Sequence, residues 1–262
     1  MGTDRITGAG IAVHPPSGED EEALLAAIES GAPVAAALTL LLGRCAQAEG
    51  IPLGARAAAL TVGEREALAL RLRAVSLAQP MRATMACPGC GETLELTLDP
   101  EGLVRAAGAP VGTATLEVDG YRLTCRPVTG LDQEAAAAAP DAEPGRLLLA
   151  RCVQATDPRG APVAAEALPE AIADRAAEAV LGLDPGAETT LAATCPSCGI
   201  AVSGSLDAGA FVLTELARHA ASLPAEVLAI ARATGWREAE ILAMPPARRR
   251  RYARLLTPEV RA

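Results

Sequence analysis

A chain of 262 residues, half of them apolar, can bury a sizeable core as one large domain or two small ones. A net charge of -9 and an aromatic content of 2% make a poor general nucleic-acid binder, because phosphates need a basic surface and bases need rings to stack on. No run approaches the roughly 20 apolar residues of a membrane span, and Met1–Gly10 lacks a basic end followed by an apolar run. The expectation is a cytoplasmic protein without a membrane partner, whose seven cysteines are thiols or metal ligands before disulfides.

All 23 basic residues are Arg, and Ala, Leu and Val must fill a core so poor in rings. In chain order, a strand-like piece leads through Pro and Gly into an acidic helix start at Glu19 to Glu22. An apolar run then ends in Leu41-Leu42-Gly43-Arg44-Cys45. Thr61 and Glu64 form a capping box, and the helix they open runs to about Ala78 with Leu68, Leu72 and Val75 on one face. Cys87-Pro-Gly-Cys90-Gly follows, and then Thr93 to Leu98, whose strict alternation marks a half-buried strand.

The second half repeats the first. Ala114 to Cys125 is a hairpin around Asp119-Gly120. Thr124 to Ala135 loosely matches Thr7 to Leu24, and Leu149-Ala150-Arg151-Cys152 matches the earlier Arg-Cys landmark. A helix is predicted from about Pro169 to Leu181, then Cys195-Pro-Ser-Cys198-Gly. The distance from Cys45 to Cys87 is 42 positions and that from Cys152 to Cys195 is 43. We therefore expect two copies of one module, residues 1–113 and 114–208, and a helical third region, 209–262, broken at Leu223-Pro224, Gly235 and Pro245-Pro246. The predicted fold is α+β: two helix-plus-knuckle-hairpin modules sharing one metal, followed by a small all-helical module.

Two thiolates three positions apart grip one tetrahedral ion from a tight turn, and the Gly after each second Cys permits the positive φ that turns amides toward sulfur. Cys87, Cys90, Cys195 and Cys198 together make a closed site for one structural zinc ion per chain, with no position left for a reacting water. A duplicated module explains why the pairs lie far apart, since two equivalent hairpins meet about a pseudo-twofold axis. The alternative is two separate three-thiol sites, Cys45 with Cys87 and Cys90, and Cys152 with Cys195 and Cys198. Cys45, Cys125 and Cys152 otherwise read as small core residues. A redox role is the weaker reading, since redox pairs come singly at a helix start. His14 and His219 read as structural, and no catalytic residue or small-molecule site is identified.

The C-terminal region carries Gly235-Trp236-Arg237-Glu238-Ala239-Glu240-Ile241-Leu242, Met244-Pro245, the run Arg248-Arg249-Arg250-Arg251-Tyr252, and Leu255-Leu256. With the Arg-Cys and Cys-Pro-x-Cys-Gly landmarks before it, this stretch, roughly 115–258, resembles the T-even-phage-type baseplate hub assembly proteins, with relatives in contractile phage tails and tail-like injection systems. The resemblance implies a non-enzymatic hub component or assembly chaperone. Its partners would be hub, spike or tail-tube proteins, and it would either stay cytoplasmic or be built into the particle. Trp236, Ile241, Leu242, Tyr252, Leu255 and Leu256 are expected to cluster, and Arg248, Arg249, Arg250 and Arg251 to line an exposed face. With Trp236 and Tyr252, those arginines are candidate partner-binding residues. A second class, a zinc-ribbon adaptor for nucleic acid or transcription machinery, would show steeply salt-dependent binding.

Overall fold

A computed structural model describes residues 10–139 and 143–256 as a mixed helix-and-sheet protein. The strand-like piece beginning at Thr7 thus lies partly outside the described residues. Strand β1 (Ile11–Val13) leads into α1 (Gly18–Glu29), whose start is fixed by a capping box between Ser17 and Asp20. After α2 (Val34–Cys45), β2 (Ala46–Ala48) and β3 (Ile51–Pro52) form a tight hairpin, with Glu49 and Gly50 at positive φ. The sheet order is β1-β2-β3. Helix α3 (Val62–Ser76) opens on the expected Thr61–Glu64 capping box. Leu68 and Leu72 are fully buried, whereas Val75 is exposed, one turn beyond the stretch that neighbouring helices cover. Strands β4 (Met81–Ala86) and β5 (Thr93–Leu98) form a two-stranded ribbon, followed by α4 (Pro100–Ala106).

The remainder begins with β6 (Ala114–Val118) and β7 (Tyr121–Cys125), joined by Asp119 and Gly120, both in the left-handed region that a two-residue hairpin turn requires. Next come α5 (Gly130–Ala137), α6 (Pro144–Cys152), β8 (Val153–Thr156) and β9 (Pro162–Val163). Strands β6 to β9 make a four-stranded sheet in sequence order. Helix α7 (Glu170–Gly182) has Pro169 as its N-cap. Strands β10 (Thr189–Thr194) and β11 (Ala201–Leu206) form a second two-stranded ribbon. Four helices close the chain: α8 (Ala208–Ala220), α9 (Leu223–Thr234), α10 (Glu238–Leu242) and α11 (Pro246–Leu256).

The order β1–α1–α2–β2–β3–α3–β4–β5 recurs as β7–α5–α6–β8–β9–α7–β10–β11. The polar anchors recur too. Asp20, in the capping box of α1, binds Arg44 at 2.6 Å, and Asp132, in the capping box of α5, binds Arg151 at 2.8 Å. Each arginine immediately precedes a buried cysteine, Cys45 or Cys152.

Two apolar cores result. One joins Leu24, Leu38, Leu41, Leu42, Leu68 and Leu72, and the other joins Leu123, Val153, Leu168, Ile172 and Val180. Helix α8 opens the region expected to stand apart as a C-terminal module, yet its Val212, Leu213 and Leu216 complete the first core. Its apolar stripe finds cover there rather than among the later helices. The C-terminal cluster itself is small, built on Ile230, Ile241, Met244 and Ala253, with Tyr252 partly buried against it. Leu255, 76% exposed, and Leu256 lie outside it, because they fall on the solvent side at the end of α11. No helix among the described residues is long and apolar enough to cross a membrane.

Polar contacts tie the two halves together. Asp184 accepts the Gly63 amide at 2.7 Å, so the first turn of α3 is capped by a carboxylate from the other half. Glu66, on α3, accepts the Gly209 amide at 2.8 Å and so fixes the start of α8 against the first core. Burial raises the Asp184 carboxyl, and raises that of Glu66 to about 7.

Candidate metal centre

The two ribbons carry the Cys-Pro-x-Cys-Gly turns at their tips, and the local geometry is the same in both. The Cys87 amide donates to the Glu92 carbonyl and the Gly91 amide to the Cys87 carbonyl. In the second turn, the Cys195 amide donates to the Ile200 carbonyl and the Gly199 amide to the Cys195 carbonyl. Gly91 and Gly199 have φ of 75° and 76°, the left-handed conformation expected from their place after each second Cys.

The ribbons meet through Met85 and Leu94 on one side and Ala193 and Val202 on the other, a platform directly beneath the sulfurs. Leu94 is marked as inward-facing by the alternation of β5, but nothing in the sequence says that it meets Met85, Ala193 and Val202. Gly89 is part of the same fit, for a Cβ there would run into the Ile200 side chain.

All four sulfurs lie within 4.8 Å of one another. Cys87 approaches Cys198 at 3.5 Å and Cys90 approaches Cys195 at 3.6 Å, so the closest pairs cross between ribbons. Four sulfurs held about 2.3 Å from one ion stand roughly 3.8 Å apart, whereas a disulfide would need about 2.05 Å. The donor set therefore fits a single tetrahedral ion and could hold one. Cys87 and Cys195 are buried and Cys90 and Cys198 exposed, so one side of the cluster opens to solvent.

The electrostatics agree. The amides of Cys90 and Gly89 aim at the Cys87 sulfur and, with the thiols of Cys198 and Cys195, bring it down to about 7. The Glu92 amide favours the Cys90 thiolate, but the crowding Cys198 and Cys195 thiols push that group up to about 12. Four adjacent thiolates repel one another, and a bound cation is what would let them coexist.

The other cysteines stand apart from this group. Cys45 lies in the first core, and burial raises it to about 12. Cys152 lies in the second core, raised by burial to about 11, and Cys125 beside it is raised in the same way. They are split between two cores, as inert apolar residues would be. His14 is exposed, with Nδ1 3.1 Å from the Pro15 carbonyl oxygen. His219 borders a cleft between α3, α8 and α11, and burial lowers its pKa.

The arginine run differs from expectation. Arg248 and Arg251 are exposed, but Arg249 is fully buried, pairing with Glu21 on α1 and with Glu226 on α9 at 2.9 Å. Arg250 reaches the same Glu21 at 2.9 Å. With a helical repeat of 3.6, four consecutive residues cannot all lie on one face, and the buried face of α11 happens to carry Arg249 and Ala253. Trp236, 38% exposed, stacks edge-on against Tyr252 at 5.8 Å, and the Arg248 guanidinium sits 5.6 Å from the centre of the Tyr252 ring.

A family model described as T4 bacteriophage base plate protein matches residues 4–207. The match takes in both ribbons and the first half from residue 4 onward, and stops before the C-terminal helices. The matched residues reach further toward the N-terminus than the stretch of roughly 115–258 that carries the resemblance, and they do not include Trp236 or the arginine run. No curated protein and no solved structure matches the chain significantly.

Proposed function

Because the chain belongs to the T4 bacteriophage base plate protein family, we propose that it is a non-enzymatic component or assembly chaperone of the baseplate hub in a contractile, tail-like particle. We read its two halves as copies of one module and the metal as a structural zinc ion that staples them. The observation that carries this reading is the convergence of four thiols from two ribbon tips more than a hundred positions apart in sequence. A closed four-sulfur shell has no open position at which to activate water, so it holds parts together rather than transforming a substrate. The recurring element order and the paired Asp20–Arg44 and Asp132–Arg151 anchors support the duplication.

The partners implied are hub, spike or tail-tube proteins. Trp236, Tyr252, Arg248 and Arg251 form the docking surface in this reading, since an exposed Trp beside a partly buried Tyr and flanking arginines are the residue types that dominate interface energetics. Arg249 and Arg250 hold that surface in place from within.

A tagged chain purified from its source, with identification of what accompanies it, tests the role. Recovery of hub, spike or tail-tube proteins, lost with Trp236→Ala, is expected. Recovery of RNA polymerase subunits or nucleic acid with no tail protein would overturn it in favour of an adaptor. Presence or absence in finished particles then distinguishes component from chaperone.

A further inference from the structure

The second ribbon has a property that the metal centre does not use. From Thr189 to Leu206 there is no Asp, Glu, Arg or His, whereas the first ribbon carries Arg82, Glu92 and Glu95. Strand β10 pairs with β11 over six positions without a bulge, and among the described residues no further strand pairs with either. The Cys195 amide points at Ile200. By the alternation of an antiparallel ladder, the backbone groups of Thr190, Ala192 and Thr194 therefore point away from β11. Their side chains are exposed, and these outward groups make no protein hydrogen bond among the described residues. Edge strands are normally blunted by charge, Pro, a bulge or a covering element. Strand β10 has none of these. The edge of β11 is less open, because Ser205 and Leu206 border a concavity shared with Phe211, Thr214 and Arg218 of α8.

We propose that β10 is a self-pairing edge and that its occupant is the β10 of a second copy of this chain. An antiparallel register centred on Ala192 sets Thr190 opposite Thr194 of the second copy, Ala192 opposite Ala192, and Thr194 opposite Thr190. Each of these three pairs exchanges two backbone hydrogen bonds, and the two ribbons merge into one four-stranded sheet, β11-β10-β10-β11. The pairing is isologous, as a twofold dimer requires. It sets only small or β-branched uncharged side chains across the axis, so no like charges oppose. In the first ribbon the edge equivalent to β10 is β4, whose outward row carries a charged residue, Arg82, and its other edge, β5, would set Glu95 against Glu95 of the second copy; an uncharged self-pairing row is found on β10. This inference stands independently of the baseplate role.

Sedimentation equilibrium of the full chain tests it. A concentration-dependent monomer–dimer equilibrium is expected. Ala192→Lys and Ala192→Glu, each placing like charges across the axis, should raise the dissociation constant roughly tenfold or more. An equimolar mixture of the two variants should dimerise again as the opposite charges meet. Unchanged metal content and melting temperature in each variant exclude a folding defect, as the site is exposed. A chain that is monomeric at every accessible concentration, or a dimer that neither variant weakens, would overturn the proposal.

Discussion

Replacing Arg249 by Met should destabilise the C-terminal helices more than any substitution on the exposed face of α11. The Arg249 side chain has no exposure, and its partners Glu21 and Glu226 are 7% and 9% exposed. Breaking a buried pair by removing one partner costs about 3–5 kcal/mol, because the other charge stays buried without compensation. Here two carboxylates would be left, but Arg250 still reaches Glu21 at 2.9 Å and Glu226 at 3.8 Å. The loss therefore falls at the lower end, about 3 kcal/mol. At roughly 2–4 °C per kcal/mol for a chain of this size, the melting temperature should drop by about 6–12 °C. Trp236, the only tryptophan, sits edge-on to Tyr252 of α11, so its fluorescence during urea unfolding reports on these helices. Arg251→Met, at an exposed position, should shift the transition by less than about 0.5 kcal/mol. Burial already raises the Glu21 carboxyl, so the Arg249→Met deficit should be full at neutral pH and shrink as acid protonates it. A loss below about 1 kcal/mol, or one that grows in acid, would refute the view that Arg249 compensates buried carboxylates.

The metal centre predicts one ion per chain by native mass spectrometry; Cys87→Ser should release it and lower thermal stability sharply, since such a site supplies on the order of 10 kcal/mol to folding. Two ions per chain would contradict a shared site. Stability should also depend on pH through Glu66, whose folded pKa of about 7 exceeds its ordinary value of 4.5. Its contribution is complete below pH 4.5 and declines as pH rises to about 7, by up to about 3 kcal/mol. Glu66→Gln should flatten that slope in denaturant titrations across the same window. Asp132, held well below the usual carboxylate range despite burial by Arg126, Thr129 and Arg151, acts oppositely, and its contribution is lost only below about pH 4. Gly63→Ala should cost about 1–3 kcal/mol in thermal unfolding, because the new Cβ would strike the Asp184 carboxylate and lie 2.7 Å from the Gly186 carbonyl carbon.

Several features that depend only on neighbours in the chain could be read from the sequence alone. The Thr61–Glu64 capping box, the Asp119-Gly120 hairpin, the strand at Thr93 to Leu98 and the positive φ after each second cysteine are decided within a few residues. Caps and turns satisfy backbone groups locally, and the residue types that do so are few. The Cys-Pro-x-Cys-Gly turns were legible as half-sites for the same reason. Tertiary structure decided what those turns meet. Cys90 faces Cys195 across 105 positions, and the Met85, Leu94, Ala193 and Val202 platform that brings them together has no local signature. It also decided which arginine of four lies inside, because that depends on the phase of α11 against Glu21, 228 positions away. Helix α8 went to the first core by the same logic. An apolar stripe specifies that a face will be covered, whereas the covering surface is chosen by packing among elements far apart in the chain.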